Sequence, residues 1–542
     1  MNIHRFVEHS LISSIIHSRM MSSTQCIPEL TVENFGPIQR ANIRLHPLTL
    51  FVGPSNTGKS YLSILIYAFH CYFGSLMSRY ILKSEREFFN IVRSILPNGT
   101  DHLRDSLTSI GKQLRDLERD NPKETVEVII PEPLAGVLRE VFQKASCVGL
   151  HEEISRCFGL DIQSLHRHNA SYSLNVILRI SQDENFSPLE HHFTLDGTKS
   201  TSWTHLPEGM PLSLYREHSD VLPSHLSWLY SPRLEFEEFM DYDGVDISIG
   251  RIELIQFIAE YLAFGMFGPF ARSSHYLPAD RTGVMHAHKA VVSTVLKRAS
   301  MAGASQSQNI HSLSGVLADF LEELMTSDTM ESYISYSRRP SGILNICKNI
   351  EEQMLNGSIS TDYSDILKYP QFSFQPDGWE NSLPLKNASS MVSELAPILL
   401  CLRNHVNNGD VLIVEEPESH LHPSMQVQLM RELAAIVNAG VRVIVTTHSE
   451  WMLEELANLT RMGALPSNER DTIDGGSSAL SPEKVGAWLF QPGEHPNGST
   501  VSQIDLDESG LYPSGFDDVA IALHNNWARI SNKLEKSNGS TH

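Results

Sequence analysis

Residues 53–60 read Gly53-Pro54-Ser55-Asn56-Thr57-Gly58-Lys59-Ser60, a full match to the phosphate-loop pattern. The glycines let the backbone curl until successive N–H groups face inward as an anion nest. A helix opening at Lys59-Ser60 adds the positive end of its dipole at the same point. Lys59 has the reach to meet the outer phosphates of a nucleotide, and the Ser60 hydroxyl suits a Mg²⁺ ligand. A glycine-containing turn without chemistry is the alternative. The apolar strand before the loop and the helical run after it are what phosphate binding requires.

The second constellation is Asp410-Val-Leu-Ile-Val-Glu415-Glu416-Pro417-Glu418-Ser-His420-Leu-His422-Pro423. Four consecutive apolar residues predict a buried central strand. Two carboxylates follow where that strand should emerge beside the phosphate loop. One acid, Glu415, is placed to hold Mg²⁺, and the other, Glu416, to orient and polarise an attacking water. The competing reading is a solvated strand end. His420 and His422 would share a face of an extended segment, but Pro423 follows and no third histidine or cysteine stands near. A zinc site there is unsupported, and His422 is expected to pack or hydrogen-bond near the next helix. Strand Val441–Val445 then delivers Thr446-Thr447-His448-Ser449, where the His448 imidazole can donate to a γ-phosphate or to the attacking water.

The elements that must position these groups fall into three zones. From Leu30 the chain alternates, then runs through the apolar strand Leu48–Val52 into the loop and a helix from Lys59. The middle, from about Gly74 to Pro384, is less regular. It holds helical patterns at Leu103–Asp120, Leu134–Phe142, Ile252–Phe270 and Leu313–Met325, strand-like texture at about 172–203, and proline-rich spacers between Pro207 and Pro232. The third zone, about Ala388 to Val445, reads helix Met391–Arg403, strand Val411–Val414, helix Met425–Val437 and strand Arg442–Thr446. This pattern, with the phosphate-loop motif, predicts an α/β P-loop NTPase, its N- and C-terminal halves forming one core around a long mixed, largely helical insertion. The boundaries are a leader at 1–28, half-cores at 29–75 and 385–465, and an insertion at 76–384 with parts returning near 275–290. An exposed Asp/Gly/Ser/Asn/Pro linker at 466–481 and a small closing segment at 482–542 complete the division.

The totals narrow the function classes. A chain of 542 residues with 41% hydrophobic content has ample core material. A net charge of −22 argues against a uniformly basic nucleic-acid-coating surface without excluding a local groove. Cys26, Cys71, Cys147, Cys157, Cys347 and Cys401 are scattered, which disfavours a disulfide framework or a cysteine-based zinc site and fits a reducing cytosol. The first 28 residues lack the parts of a signal peptide, and translation could equally begin at Met20 or Met21. The apolar stretch Tyr61–Phe73 contains His70 and is too short to span a membrane. The expected location is the cytoplasm, with no membrane partner.

Taken together, Val32-Glu-Asn-Phe-Gly-Pro-Ile38, the Leu48–Ser60 segment, Glu415-Glu-Pro-Glu-Ser-His-Leu-His-Pro423 and Thr446-Thr-His-Ser449 resemble the AAA/ABC-type ATPases of the OLD branch. That branch, named for overcoming lysogenization defect, is similar to the SMC, RecF and double-strand-break repair ATPases. The likeness covers roughly residues 29–75 and 385–465 well and the middle poorly. It implies ATP and Mg²⁺ as cofactors, ATP hydrolysis as the activity, and a homodimer or higher oligomer in which a serine-rich signature of one subunit caps the ATP of the other. The matching position is Ala388-Ser389-Ser390-Met391, with methionine where relatives usually carry glycine; an ordinary helix cap is the other reading of Ser389 and Ser390. Glu415 stands where many ABC proteins have aspartate. Tyr276-Leu-Pro-Ala-Asp-Arg281 resembles a segment placing an arginine near the nucleotide, so Arg281 is either a phosphate contact or a structural ion-pair partner.

OLD proteins carry a topoisomerase-primase nuclease domain downstream. Here Asp505, Asp507, Glu508, Asp517 and Asp518 do not make a βαβ acidic core, and no nuclease activity is expected. The resemblance then implies an ATPase that controls a separate effector, such as the nuclease or toxin of a bacterial anti-phage defence system. The alternative is a RecF- or SMC-like ATPase in DNA repair or maintenance, for which Lys112, Arg115 and Arg119 are a weak cationic cluster.

Overall fold

The structure is a computed structural model that describes residues 26–74, 126–129, 149–167, 172–181, 188–205, 213–216, 267–301, 313–326, 341–363, 370–470, 472–493, 498–504 and 525–530, with 135–136 and 140. The leader up to residue 25, the Leu103–Asp120 pattern with its cationic cluster, most of Leu134–Phe142, the 207–232 spacers apart from 213–216, residues 252–266 and the acidic positions 505–518 lie outside the described residues.

Alternation from Leu30 produces a strand buried on one face, β1 (Glu29–Phe35), which turns through Gly36 at φ +50° into the antiparallel β2 (Ile38–Arg44). Leu48-Thr-Leu-Phe-Val52 has no polar alternation and forms β3 (Leu48–Val52), buried at every residue; α1 (Lys59–Gly74) follows the phosphate loop. The middle of the chain adds β4 (Val126–Ile129), α2 (Leu150–Phe158), β5 (Leu174–Ile180), β6 (Leu189–Asp196), β7 (Lys199–His205), β8 (Ser213–Arg216) and β9 (Ser274–Leu277). Helices α3 (Arg281–Met301), α4 (Gly315–Met325) and α5 (Ser341–Asn349) come next, then the three-stranded sheet β10 (Gly357–Tyr363), β11 (Pro370–Pro376) and β12 (Leu383–Pro384). The last part runs α6 (Ser390–Asn404), β13 (Val411–Glu415), α7 (Pro423–Asn438), β14 (Arg442–Thr447), α8 (Glu450–Gly463), β15 (Val485–Gln491) and β16 (Ser499–Ile504).

Eleven strands form one sheet in the order β7-β6-β5-β1-β2-β16-β15-β3-β14-β13-β9. Strands β15, β3, β14, β13 and β9 run parallel, so their C-terminal ends share one edge. Both faces of this half are dry. Phe51, Ile413 and Ile444 face α1, whereas Leu48, Leu50, Val52, Leu412, Val414, Val443 and Val445 face the layer of α6, α7 and α8. The two ends of the chain therefore make a single mixed α/β core, with β3 paired to β14 across almost four hundred residues of sequence.

The middle zone joins the core at both edges of the sheet: β9, at the 275–290 stretch, closes one edge, while β5, β6 and β7, which the sequence reading left in the insertion, extend the other from β1. In the described part of the last segment, β15 pairs directly with β3 and β16 with β2, so these strands belong to the main sheet. The polar stretch after α8 is not wholly exposed. Ala479 and Leu480 are buried, and the Leu480 carbonyl seats so closely on Gly463 that a side chain there would collide with it. No helix among the described residues is long and apolar enough to cross a membrane.

Candidate functional site

The chain leaves β3 at Val52 and enters the loop at Gly53 with φ +136°, where any Cβ would collide with the Phe490 carbonyl of the neighbouring β15. Gly58, at φ +100°, would drive a Cβ to 2.6 Å from Cγ1 of Ile38. Both glycines are thus required by the fold. Between them Thr57 Oγ1 donates to the Pro54 carbonyl at 2.8 Å, and Lys59 Nζ donates to the carbonyls of Gly53 and Pro54 at 2.8 Å each. Ser60 lies exposed on the first turn of α1.

Burial lowers the Lys59 ammonium to about 8, with the carboxylates of Glu416, Glu418 and Glu415 acting in the opposite direction. The cost of burying this charge is borne in full below pH 8 and relieved as pH rises from there toward the ordinary value of 10.5, so the group adds to stability in alkali. Nucleotide affinity has the opposite sign, because a polyphosphate favours the ammonium. We expect ATP affinity to weaken above that pKa with a slope approaching about tenfold per pH unit. Titration calorimetry from about pH 7 to about pH 9.5 checks this, and a flat affinity would remove Lys59 from the phosphate contact.

Glu415 ends β13 opposite Thr446 of β14, and Thr447 ends β14 opposite Val52 of β3. The acids therefore do not emerge directly beside the phosphate loop: β14 stands between, and His448 rises from that intervening strand. Glu415 is buried. Its Oε2 accepts from the Ala279 N–H at 3.2 Å, and its Oε1 is a buried carboxylate oxygen beside the Tyr276 phenol. Burial, and then the Glu415 charge, hold the Tyr276 phenol well above its usual range, keeping it protonated beside this carboxylate. Glu416 adopts φ +41°, uncommon for a side chain of its size, and its N–H is held by the Thr446 carbonyl at 2.9 Å and Thr446 Oγ1 at 3.2 Å. Its carboxylate reaches toward solvent, with Oε1 at 3.4 Å from His448 Nε2.

Glu418 had no role in the sequence reading and has one here. Its Oε1 accepts from Thr447 Oγ1 at 2.8 Å and from the His448 N–H at 2.6 Å, while Oε2 is buried without a donor. It is a positioning residue that fixes the backbone from which His448 projects. The available signal was a third acid two positions after Glu416, across Pro417. His422 caps α7, its Nδ1 accepting from the Ser424 N–H at 3.3 Å. Neither His420 nor His422 joins a cluster of metal-ligand donors among the described residues.

Of the two readings of Arg281, its surroundings favour the structural ion-pair partner. The side chain has no solvent exposure, and its donors are directed to the carbonyls of Glu415 at 2.7 Å, Glu416 at 3.2 Å, Pro278 at 3.3 Å and Glu394 at 3.3 Å. An ion pair with Glu394 Oε2 at 3.0 Å completes its shell. Through these contacts Arg281 ties α6 to the acidic strand end. Ser389 and Ser390 are exposed at the head of α6, where Ser389 Oγ accepts from the Val392 N–H at 3.3 Å as a helix cap. Met391 is partly buried against the core rather than turned outward.

Residues 294–453 match the family described as an AAA ATPase domain. This is under a third of the chain; it includes Ser389, Ser390, Glu415, Glu416 and His448 and excludes the phosphate loop. No curated protein matches the sequence. Among solved structures the chain is similar to an SMC head bound to the C-terminal winged-helix domain of ScpA, at 9% identity and TM-score 0.36 over 90% of this chain and 99% of that one. It is also similar to the SMC head domain from Thermotoga maritima, at 10% identity and TM-score 0.33 over 89% and 100%. A third is an Smc head with an extended coiled coil bound to the C-terminal domain of ScpA, derived from Pyrococcus furiosus, at 9% identity and TM-score 0.36 over 89% and 97%.

Proposed function

We propose that this chain binds ATP with Mg²⁺ and hydrolyses it, and that binding closes a homodimer across the edge carrying the phosphate loop. The observation that carries this reading is the convergence of Gly53–Ser60, His448, Glu415 and Glu416 at the C-terminal ends of three adjacent parallel strands. The donor set fits the cofactor. Glu418 Oε2 is a buried oxygen without a hydrogen-bond donor, and Glu415 Oε1, beside the Tyr276 phenol, is a second buried carboxylate oxygen whose charge a nearby cation would relieve. Ser60 and Glu415 would hold Mg²⁺, directly or through water. The metal supplies neutralisation of charge on the phosphates.

The remaining roles belong to the chain. The loop N–H groups and the α1 N-terminus bind the phosphates, and Lys59 adds a charge. Glu416 takes a proton from water, and His448, held by Glu418, orients that water or donates to the γ-phosphate. Exposed Ser389 and Ser390 are proposed to meet the partner subunit's nucleotide. The OLD-branch, anti-phage and nuclease- or toxin-controlling readings rest on the sequence resemblance alone and gain nothing from the comparisons. The family match supports an ATPase domain, and the DNA-maintenance alternative stays beside effector control as the second reading.

The deciding measurement is Mg²⁺-dependent phosphate release by the purified chain, with Lys59→Ala beside it. The wild type should turn over, and Lys59→Ala should bind ATP at least about tenfold more weakly, the equivalent of ~1.4 kcal/mol. Absence of turnover in the wild type, or undiminished binding in the variant, would sink the proposal. Pull-down of Glu416→Gln with Mg-ATP from native cells then separates the two jobs: bound duplex DNA supports maintenance, and a stoichiometric effector protein supports effector control.

A further inference from the structure

At the opposite end of β9 and β13 from the phosphate edge, His275, Glu323 and Cys401 converge from β9, α4 and α6. One donor atom from each lies within 4.8 Å of the others. His275 Nδ1 is 2.7 Å from Glu323 Oε1, and Cys401 Sγ is 3.8 Å from Glu323 Oε2. The far ring nitrogen, His275 Nε2, lies 3.4 Å from Asp410 Oδ2, which is itself anchored by the Asn407 N–H at 2.8 Å. His405 Nε2 closes the margin with a contact to the Glu323 carbonyl at 2.9 Å. We propose that this cluster is a binding site for a zinc-type divalent transition metal, with His275 Nδ1, the Glu323 carboxylate and Cys401 Sγ as ligands and Asp410 orienting the imidazole from behind.

The chemistry of the donors points to that class. Sulfur, imidazole nitrogen and carboxylate oxygen together are the borderline set that zinc accepts and that magnesium or calcium does not favour. A ligating imidazole whose other nitrogen meets an anchored carboxylate is the usual outer arrangement of such sites. Three protein donors leave a position for water, and Glu323, part-exposed, gives it a route. The other convergent set, Cys71, Glu153 and Cys157, is less suited, because Arg156 Nη2 already stands 2.7 Å from Glu153 Oε1 and 3.7 Å from Cys157 Sγ as its cation. An ion at His275 would join α6, the helix headed by Ser389, to the start of the strand that leads to Ala279 and Arg281.

The test uses the full chain stripped with chelator and titrated with Co²⁺. Expected is one equivalent bound with a thiolate-to-cobalt charge-transfer band, displaced by Zn²⁺, and a fall in Tm on stripping. Cys401→Ala should lose the band, and Cys157→Ser should keep it. X-ray absorption on the zinc-loaded wild type should give one sulfur and otherwise nitrogen and oxygen scatterers, which keeps the proposal testable if Cys401→Ala does not fold. Absence of a thiolate band in the stripped wild type, two sulfur scatterers, or a band lost only in Cys157→Ser would overturn it.

Discussion

Glu416→Gln should lower turnover at saturating Mg-ATP by about two to three orders of magnitude, the range seen when one preorganised charge-stabilising group is removed from a reacting centre. ATP affinity should stay within a few fold. The substitution is close to isosteric, and Gln accepts the φ of +41° on the same terms as Glu, held by the same two bonds from its N–H to Thr446. What disappears is the carboxylate that can receive a proton, 3.4 Å from His448 Nε2. A second consequence is specific to this geometry. Glu416 is the foremost of the three acids that sustain the Lys59 ammonium against burial, so removing its charge should move the Lys59 midpoint below about 8 and shift the alkaline loss of ATP binding to lower pH. Stopped hydrolysis with ATP still bound predicts an accumulated dimer, read by light scattering with and without Mg-ATP. Turnover within about threefold of wild type, less than ~0.7 kcal/mol in barrier, would remove Glu416 from water activation.

The parts of this site legible in the sequence are those written locally. A phosphate loop needs eight consecutive residues in a set order, and β13 announces itself as four apolar residues running into acids. What depends on pairing across the chain was not legible. Whether Glu415 emerges next to the loop or one strand away is decided by β14 inserting between β13 and β3, and no spacing in the sequence encodes that order. The same holds for β15. Its Val485–Phe490 run is apolar enough to be a buried strand, but only the sheet shows that Phe490 packs on Phe51 and that its carbonyl forbids a side chain at Gly53. Glu418 was hidden for a different reason: its partners are a side chain and an N–H at 447 and 448, about thirty residues on.

Arg281, which the sequence left open between a phosphate contact and a structural ion pair, carries the second large prediction, because its buried surroundings favour the ion pair. Arg281→Ala should destabilise the fold by about 3–5 kcal/mol, because it strips a buried carboxylate of the cation it pairs with at 3.0 Å and leaves carbonyl groups short of a donor. Lysine should recover little: one ammonium does not span the Glu394 carboxylate and the Glu415 and Glu416 carbonyls that the guanidinium fork reaches together. The double variant Arg281→Met with Glu394→Gln should recover a large part, since removing both charges removes the uncompensated one. Denaturant unfolding of the three variants gives the comparison, read as midpoint at constant slope. The functional readout separates position from stability. With α6 untied from the strand end, Glu415 and Glu416 lose the clamp on their backbone, so in the stable double variant kcat should fall while ATP affinity, set by the loop on β3, holds. A direct phosphate contact would give the reverse, with weakened ATP affinity and little change in unfolding midpoint, and would return Arg281 to the nucleotide.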